Sequence, residues 1–155
     1  MIRLIYEIGL KTPIGELGLL GDDTNLLEIS LNGLKGLSRR GKSKEDRFKL
    51  EIKQLNQYFL KKRRTFSIKT HLDGTNFQKE VYKEMINIQY GQVLTYKDLA
   101  KKAGYPRAYR AVGSACGANK IPIVIPCHRV VASEGLGGFG GGLRLKKFLL
   151  NLESN

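Results

Sequence analysis

In the first third of the chain, apolar positions come in short runs broken by turn residues. Ile14-Gly15-Glu16-Leu17-Gly18-Leu19-Leu20, the cluster Gly21-Asp22-Asp23-Thr24-Asn25, and Leu26-Leu27-Glu28-Ile29-Ser30-Leu31 together predict a hairpin. Residues 32–44 read as a polar, basic loop rich in Gly and Ser. The period then lengthens: Phe48, Ile52, Leu55 and Phe59 share one stripe, which predicts a helix over 45–60. Lys61-Lys62-Arg63-Arg64 reads as a solvated surface turn in preference to a dedicated DNA contact, and a strand is predicted over 65–68.

Asp73-Gly74 breaks the chain, so a boundary is expected there, with an N-terminal domain over 1–73 and a C-terminal domain over 74–155. Thr75-Asn76-Phe77-Gln78 has the form of a capping box, and Phe77, Val81, Met85 and Ile88 mark the buried face of a helix ending near Tyr90-Gly91. Two short helices follow. Thr95-Tyr96-Lys97-Asp98 caps the first, which Gly104 ends, and Pro106 suits the first position of the second, which carries Arg107, Tyr109, Arg110, Val112 and Ala115. Length and punctuation are those of a helix-turn-helix. Such a hairpin serves plain packing as readily as DNA binding; the arginines on an Ala-rich second helix favour DNA.

Charge strengthens that preference. The chain of 155 residues holds 27 basic and 14 acidic residues, a net charge of +13, which suits a polyanionic partner such as nucleic acid. The excess is shared between the two halves, so it belongs to folded surface and not to a detachable tail. No apolar stretch reaches the ~18 residues of a membrane span, and Met1–Glu7 does not read as a secretory signal. The expectation is a cytoplasmic monomer without membrane association, nucleoid-associated in a prokaryote or nuclear in a eukaryote. Two Cys and two His fit no common zinc template, so neither a metal nor a cofactor is expected.

The stretch Lys120-Ile121-Pro122-Ile123-Val124-Ile125-Pro126-Cys127-His128-Arg129-Val130 is the most informative. Residues before prolines avoid the helical region, so the segment is expected to be extended and stiff, presenting Cys127 in a fixed place. A cysteine there is either core filler or a nucleophile. The adjacent His128 and Arg129 favour a thiolate held below the ordinary thiol range. In the last helix Leu145, Leu149 and Glu153 recur at a spacing of four, so Glu153 extends an apolar stripe; it is equally readable as a frayed terminal carboxylate or as a partner for a base. Gly135 to Gly142 form a loop with hardly any side chains, which lets backbone approach a ligand closely.

Thr95-Tyr96-Lys97-Asp98-Leu99-Ala100, Arg110-Ala111-Val112-Gly113, Asn119, the Ile125-Pro126-Cys127-His128-Arg129-Val130 block, Gly141-Gly142-Leu143 and Glu153 together resemble the methylated-DNA–protein-cysteine methyltransferases, the O6-alkylguanine-DNA alkyltransferases. The resemblance runs from about Phe77 to Glu153 and is weaker before Asp73. It implies an α/β (α+β) fold class, with a small ribonuclease-H-like α/β domain followed by a mainly helical, winged-helix-like domain carrying the helix-turn-helix. It also implies DNA repair by direct reversal in double-stranded DNA containing O6-alkylguanine, and leaves O4-alkylthymine open as a second substrate.

By the same resemblance the alkyl group passes once and irreversibly from a flipped base to Cys127. His128 is implied as the base acting through a water, Glu153 as its orienting carboxylate, and Asn119 as the brace of the turn. Tyr96 helps rotate the nucleotide and donates to the purine, and Arg110 fills the vacated stack. Lys97, Tyr105 and Ser133 make further DNA contacts, in the minor groove, and Val130, Phe139, Gly140 and Gly141 form the base pocket. This sequence departs from the family pattern at Phe139, where tyrosine is usual, at Gly140, where serine is common, and at Tyr109, where a small residue usually lies. Three rivals stand beside this reading: a silent recognition protein, a helix-turn-helix regulator with Cys127 as filler, and a cysteine hydrolase.

Overall fold

The computed structural model describes residues 3–154; Met1, Ile2 and Asn155 lie outside the described residues. The chain divides into two compact units, 1–71 and 72–155. The fold class is α+β, with a sheet unit first and a largely helical unit second.

The first unit holds β1 (Tyr6–Thr12), β2 (Gly15–Gly21), β3 (Leu26–Ser30), β4 (Lys42–Ser43) and α1 (Lys49–Phe59). Their order in the sheet is β3-β2-β1-β4, with β4 parallel to β1 and the other pairs antiparallel. β2 is buried from Leu17 to Gly21, because the Gly33 loop crosses one face. A Cβ at Gly18 would stand 2.5 Å from the Gly33 carbonyl oxygen, so only glycine permits this approach.

The Tyr6–Thr12 strand escaped prediction, and two expectations about the rest of this unit are corrected. The helix predicted over 45–60 begins as a 3₁₀ turn, Glu45–Phe48, before α1. No strand forms over 65–68: the Gln54 side chain takes the Ser67 N–H at 3.0 Å and donates to its hydroxyl at 2.7 Å, and a single bridge joins Thr70 to Leu26. A buried side chain thus supplies what a strand partner would have supplied.

The second unit holds α2 (Asn76–Ile86), β5 (Leu94–Thr95), α3 (Tyr96–Lys102), α4 (Tyr109–Gly117), β6 (Val130–Val131) and α5 (Leu143–Glu153). The Thr75 capping box is present in full, and Thr95 caps α3 through the Asp98 N–H. The helix-turn-helix is α3 and α4. Pro106 does not open α4; the Ala108 N–H closes a turn onto the Tyr105 carbonyl at 2.9 Å, and helix begins at Tyr109. α2 also stops short of the expected end, at Ile86. The Tyr82 hydroxyl donates to the Ala115 carbonyl at 2.9 Å and ties α2 to α4 over a core of Val81, Met85, Leu99, Val112 and Ala115. β5 and β6 pair in parallel, Leu94 with Val130 and Thr95 with Val131. That two-rung ladder ties the start of α3, where Tyr96 follows Thr95, to the strand that follows the Cys127–Arg129 turn.

Candidate active site

Cys127 sits on a compact turn, not on the extended segment expected from its prolines. The Ile125 N–H reaches the Ile121 carbonyl at 2.9 Å, Ile123 takes a φ of 75°, and Cys127–Arg129 is a 3₁₀ turn. Asn119 makes the bend possible: its Nδ2 donates to the Ile125 carbonyl at 2.8 Å, and its Oδ1 accepts from the Ile121 N–H at 3.0 Å. One side chain therefore spans both ends of the turn. Positive φ costs a β-branched residue on the order of 1–3 kcal/mol, which a fully braced, buried turn can carry.

Behind the cysteine lies a buried polar network. His128 Nε2 stands 2.6 Å from Glu153 Oε2. Arg129 donates to the same carboxylate through Nε at 2.8 Å and Nη2 at 3.0 Å, and through Nη1 to the Ile88 carbonyl at 2.7 Å. Glu153 is therefore no frayed terminus; it is 4% exposed, and the Gly91 N–H also reaches it. Burial pushes the His128 proton affinity down against the opposing pull of Glu153, which leaves the ring neutral. A neutral ring that donates Nε2–H to Glu153 keeps Nδ1 as an acceptor, and Nδ1 has no hydrogen-bond partner among the described residues.

The expected depression of the thiol is not found. Burial pushes the Cys127 proton affinity up, opposed by smaller contributions from the Asn119 side chain and the charge of Lys146. Arg129 cannot act as the counter-charge foreseen from sequence, because its guanidinium is engaged with Glu153. The resting sulfur is a thiol.

Cys127 opens on a cavity of about 290 Å³ lined also by Tyr96, Gly113, Cys116, Gly117, Gly138, Phe139 and Gly140. Of the residues foreseen for a base pocket, Phe139 and Gly140 line this cavity. Val130, fully buried, and Gly141, exposed, do not line it. Two lining features were not foreseen. Cys116 faces the same space, with its thiol pushed up to about 12 by burial. Tyr96 rests against the glycine loop: a Cβ at Gly137 would lie 2.6 Å from its hydroxyl, and the Gly138 N–H favours the ionised phenol against the larger upward push of burial.

Lys146 was also missed, and its place one turn into α5 on an apolar face was the available signal. It is fully buried, and its Nζ donates to the carbonyls of Val130 (2.6 Å), Leu136 (2.6 Å) and Gly138 (3.0 Å).

The residues foreseen as DNA contacts lie at the surface. Lys97, Tyr105, Arg110 and Ser133 are exposed, as is Tyr109, whose ring carries the Lys97 ammonium 5.3 Å from its centroid. Tyr105 packs edge-on against Phe77 at 5.0 Å. Arg110 projects from the first turn of α4, on the helix that also carries Gly113 and Cys116 into the cavity wall.

With α+β units, a helix-turn-helix and a cysteine-bearing cavity in place, comparison with known proteins becomes informative. Residues 5–72 match the family described as 6-O-methylguanine DNA methyltransferase, ribonuclease-like domain, and residues 76–155 match its DNA binding domain. The methylated-DNA–protein-cysteine methyltransferase of Methanosarcina barkeri is 42% identical over 156 residues, which cover 98% of each chain. The crystal structure of Mycobacterium tuberculosis O6-methylguanine methyltransferase superposes with a TM-score of 0.88 at 34% identity, over 97% of this chain and 93% of that one. Mycobacterium tuberculosis OGT in complex with DNA gives a TM-score of 0.88 at 36% identity, over 97% and 92% of the two chains. The chain belongs to the methylated-DNA–protein-cysteine methyltransferase family.

Proposed function

We propose that this protein repairs DNA by direct reversal, moving an alkyl group from the O6 oxygen of a flipped guanine to the sulfur of its own Cys127. The observation that carries the reading is the joint placement of Cys127 and Tyr96 on one cavity, with the His128–Glu153 pair buried directly behind the cysteine. Burial alone would suit a filler cysteine; a filler does not face a cavity of about 290 Å³.

The balance of the step is simple. The Cys127 thiol gives its proton to neutral His128 through a water, and the resulting imidazolium is stabilised by Glu153. The S–C bond forms as the C–O6 bond breaks. The purine, gaining charge as a leaving group, accepts a hydrogen bond from the Tyr96 hydroxyl and takes, by way of water, the proton that His128 received, so guanine and neutral His128 are restored and the protein is left as a thioether. A thioether has no leaving tendency, so each molecule acts once. A stacked base cannot reach the cavity, and extrusion costs a few kcal/mol. Arg110, exposed at the start of α4, is the side chain suited to occupy the vacated stack, with Lys97, Tyr105 and Ser133 holding the double-stranded partner. No part of this step requires a metal or cofactor.

The experiment is a mass spectrum of the protein after incubation with a duplex containing one O6-methylguanine. The expected result is one methyl group per molecule, on the Cys127 peptide, and none for Cys127→Ala. A methyl group on Cys116, or repeated turnover, would overturn the reading.

A further inference from the structure

Lys146 occupies a costly position. It lies in the first turn of α5, with its N–H on the Gly142 carbonyl at 3.2 Å, where a cation opposes the helix dipole. Lysine is almost never fully buried unless paired, yet this one has no exposed surface. Its three ammonium protons are matched by three carbonyl oxygens: Val130 on β6, and Leu136 and Gly138 on the glycine loop. Burial weakens its hold on its proton, and negative charge on Cys116 or Cys127 strengthens it.

The three carbonyls are not scattered. Val130 ends the Cys127-His128-Arg129 turn, and Leu136 and Gly138 flank Gly137, where a Cβ would stand 2.6 Å from the Tyr96 hydroxyl. The ammonium is also 6.0 Å from the Tyr96 ring centroid. A single buried group thereby joins the cysteine turn to the wall on which the tyrosine rests.

We propose that Lys146 is a positioning residue for alkyl transfer: it clamps the Leu136–Gly138 segment to β6, fixes the Tyr96 hydroxyl at the cavity wall, and holds a buried positive charge on the Val130 carbonyl, at the end of the turn that begins with Cys127. This rests on the roles given above to Cys127 and Tyr96. The other titratable groups of the neighbourhood are Cys116, on the cavity wall, and His128, Arg129 and Glu153, which are bound to one another.

The test compares the parent, Lys146→Met, Tyr96→Phe and the double variant, reading single-turnover methyl transfer from duplex DNA, DNA affinity and thermal unfolding. Lys146→Met is expected to slow transfer on the order of 100-fold while DNA affinity stays within about threefold. Adding Tyr96→Phe to Lys146→Met should cost less than about threefold more, because the two act as a unit. Parent-like transfer by Lys146→Met, or full multiplication of the two losses, would overturn the clamp. Where Lys146→Met does not fold, Lys146→Arg carries the test. It keeps the charge but not the three-carbonyl geometry, so it should keep the parent's pH profile for Cys127 alkylation and transfer about tenfold more slowly. Parent-like transfer by folded Lys146→Arg would sink the positioning role. A competent parent beside an unimpaired Lys146 variant overturns this inference alone, whereas a parent that transfers nothing overturns the function on which it rests.

Discussion

Glu153 holds His128 and Arg129 with one carboxylate: Oε2 meets the imidazole at 2.6 Å, and both oxygens accept from the guanidinium. The two partners are consecutive in sequence, so a single side chain near the end of α5 orients the whole turn that follows Cys127.

That sharing makes Glu153→Gln a severe change despite its equal size. It leaves the buried Arg129 charge uncompensated, a loss on the order of 3–5 kcal/mol, and it removes the anion that stabilises a protonated His128. A lower melting temperature and slower methyl transfer are expected together. A variant that melted like the parent and reacted at its rate would show that the carboxylate neither braces nor activates the turn.

The thiol should titrate late. Because burial holds Cys127 protonated beyond its ordinary value of 9.0, its alkylation by iodoacetamide should rise from neutral pH past about pH 9 without levelling off. The same shift makes stability pH-dependent. Unfolded thiols ionise near the ordinary value, and the folded state keeps its proton longer, so this contribution is complete below about pH 9 and lost as the pH climbs toward the folded value. Peptide mapping of alkylated Cys127 across the pH range reads the first effect and urea unfolding the second; a rate plateau near neutrality would contradict the burial argument.

Gly137 and Gly140 should respond oppositely to a side chain. Gly137 has a φ of 74°, and its Cβ would sit 2.6 Å from the Tyr96 hydroxyl, so Gly137→Ala must displace the tyrosine or the loop. Transfer should fall on the order of tenfold or more, since a donor misplaced by a fraction of an ångström loses most of its value. Nothing lies within 4 Å of a Cβ built at Gly140, so Gly140→Ser should transfer at least as fast as the parent. Equal single-turnover rates for the two variants would mean that the Gly137 contact does not position Tyr96.

Arg110 is expected to matter for extrusion and not for chemistry. Arg110→Ala should slow methyl transfer from duplex DNA far more than transfer from the free base O6-methylguanine, which needs no flipping. Parallel assays on the two substrates decide the matter, and an equal loss on both would assign Arg110 to folding or to the reaction itself.

What could be read from the sequence was local. The Thr75 capping box, the Thr95 cap and the Gly104 stop each need only a few neighbouring residues, and the structure contains all three. The β2–β3 hairpin likewise follows from alternation and turn residues. What escaped depends on partners distant in the chain. The extended form expected for 120–130 gives way to a turn because Asn119 bonds both of its ends. Arg129 looked like a companion to the thiol until the carboxylate 24 residues on drew it away. The β5–β6 ladder has two residues per strand, too few to leave a period, although it joins the start of α3 to the strand that follows the cysteine turn. The burial of Lys146 left only its place on the apolar face of α5 as a signal, because its partners are backbone carbonyls, which carry no sequence signature.

Cys127 is 7% exposed and holds its proton firmly in the resting protein. A reagent that can be spent only once is at risk from any small electrophile that drifts past, and methylating agents reach protein as readily as DNA. Here the sulfur is kept idle twice over, almost wholly buried and protonated at rest. Discrimination between damaged DNA and the agents that damage it is therefore a property of the empty protein, set before any lesion is bound.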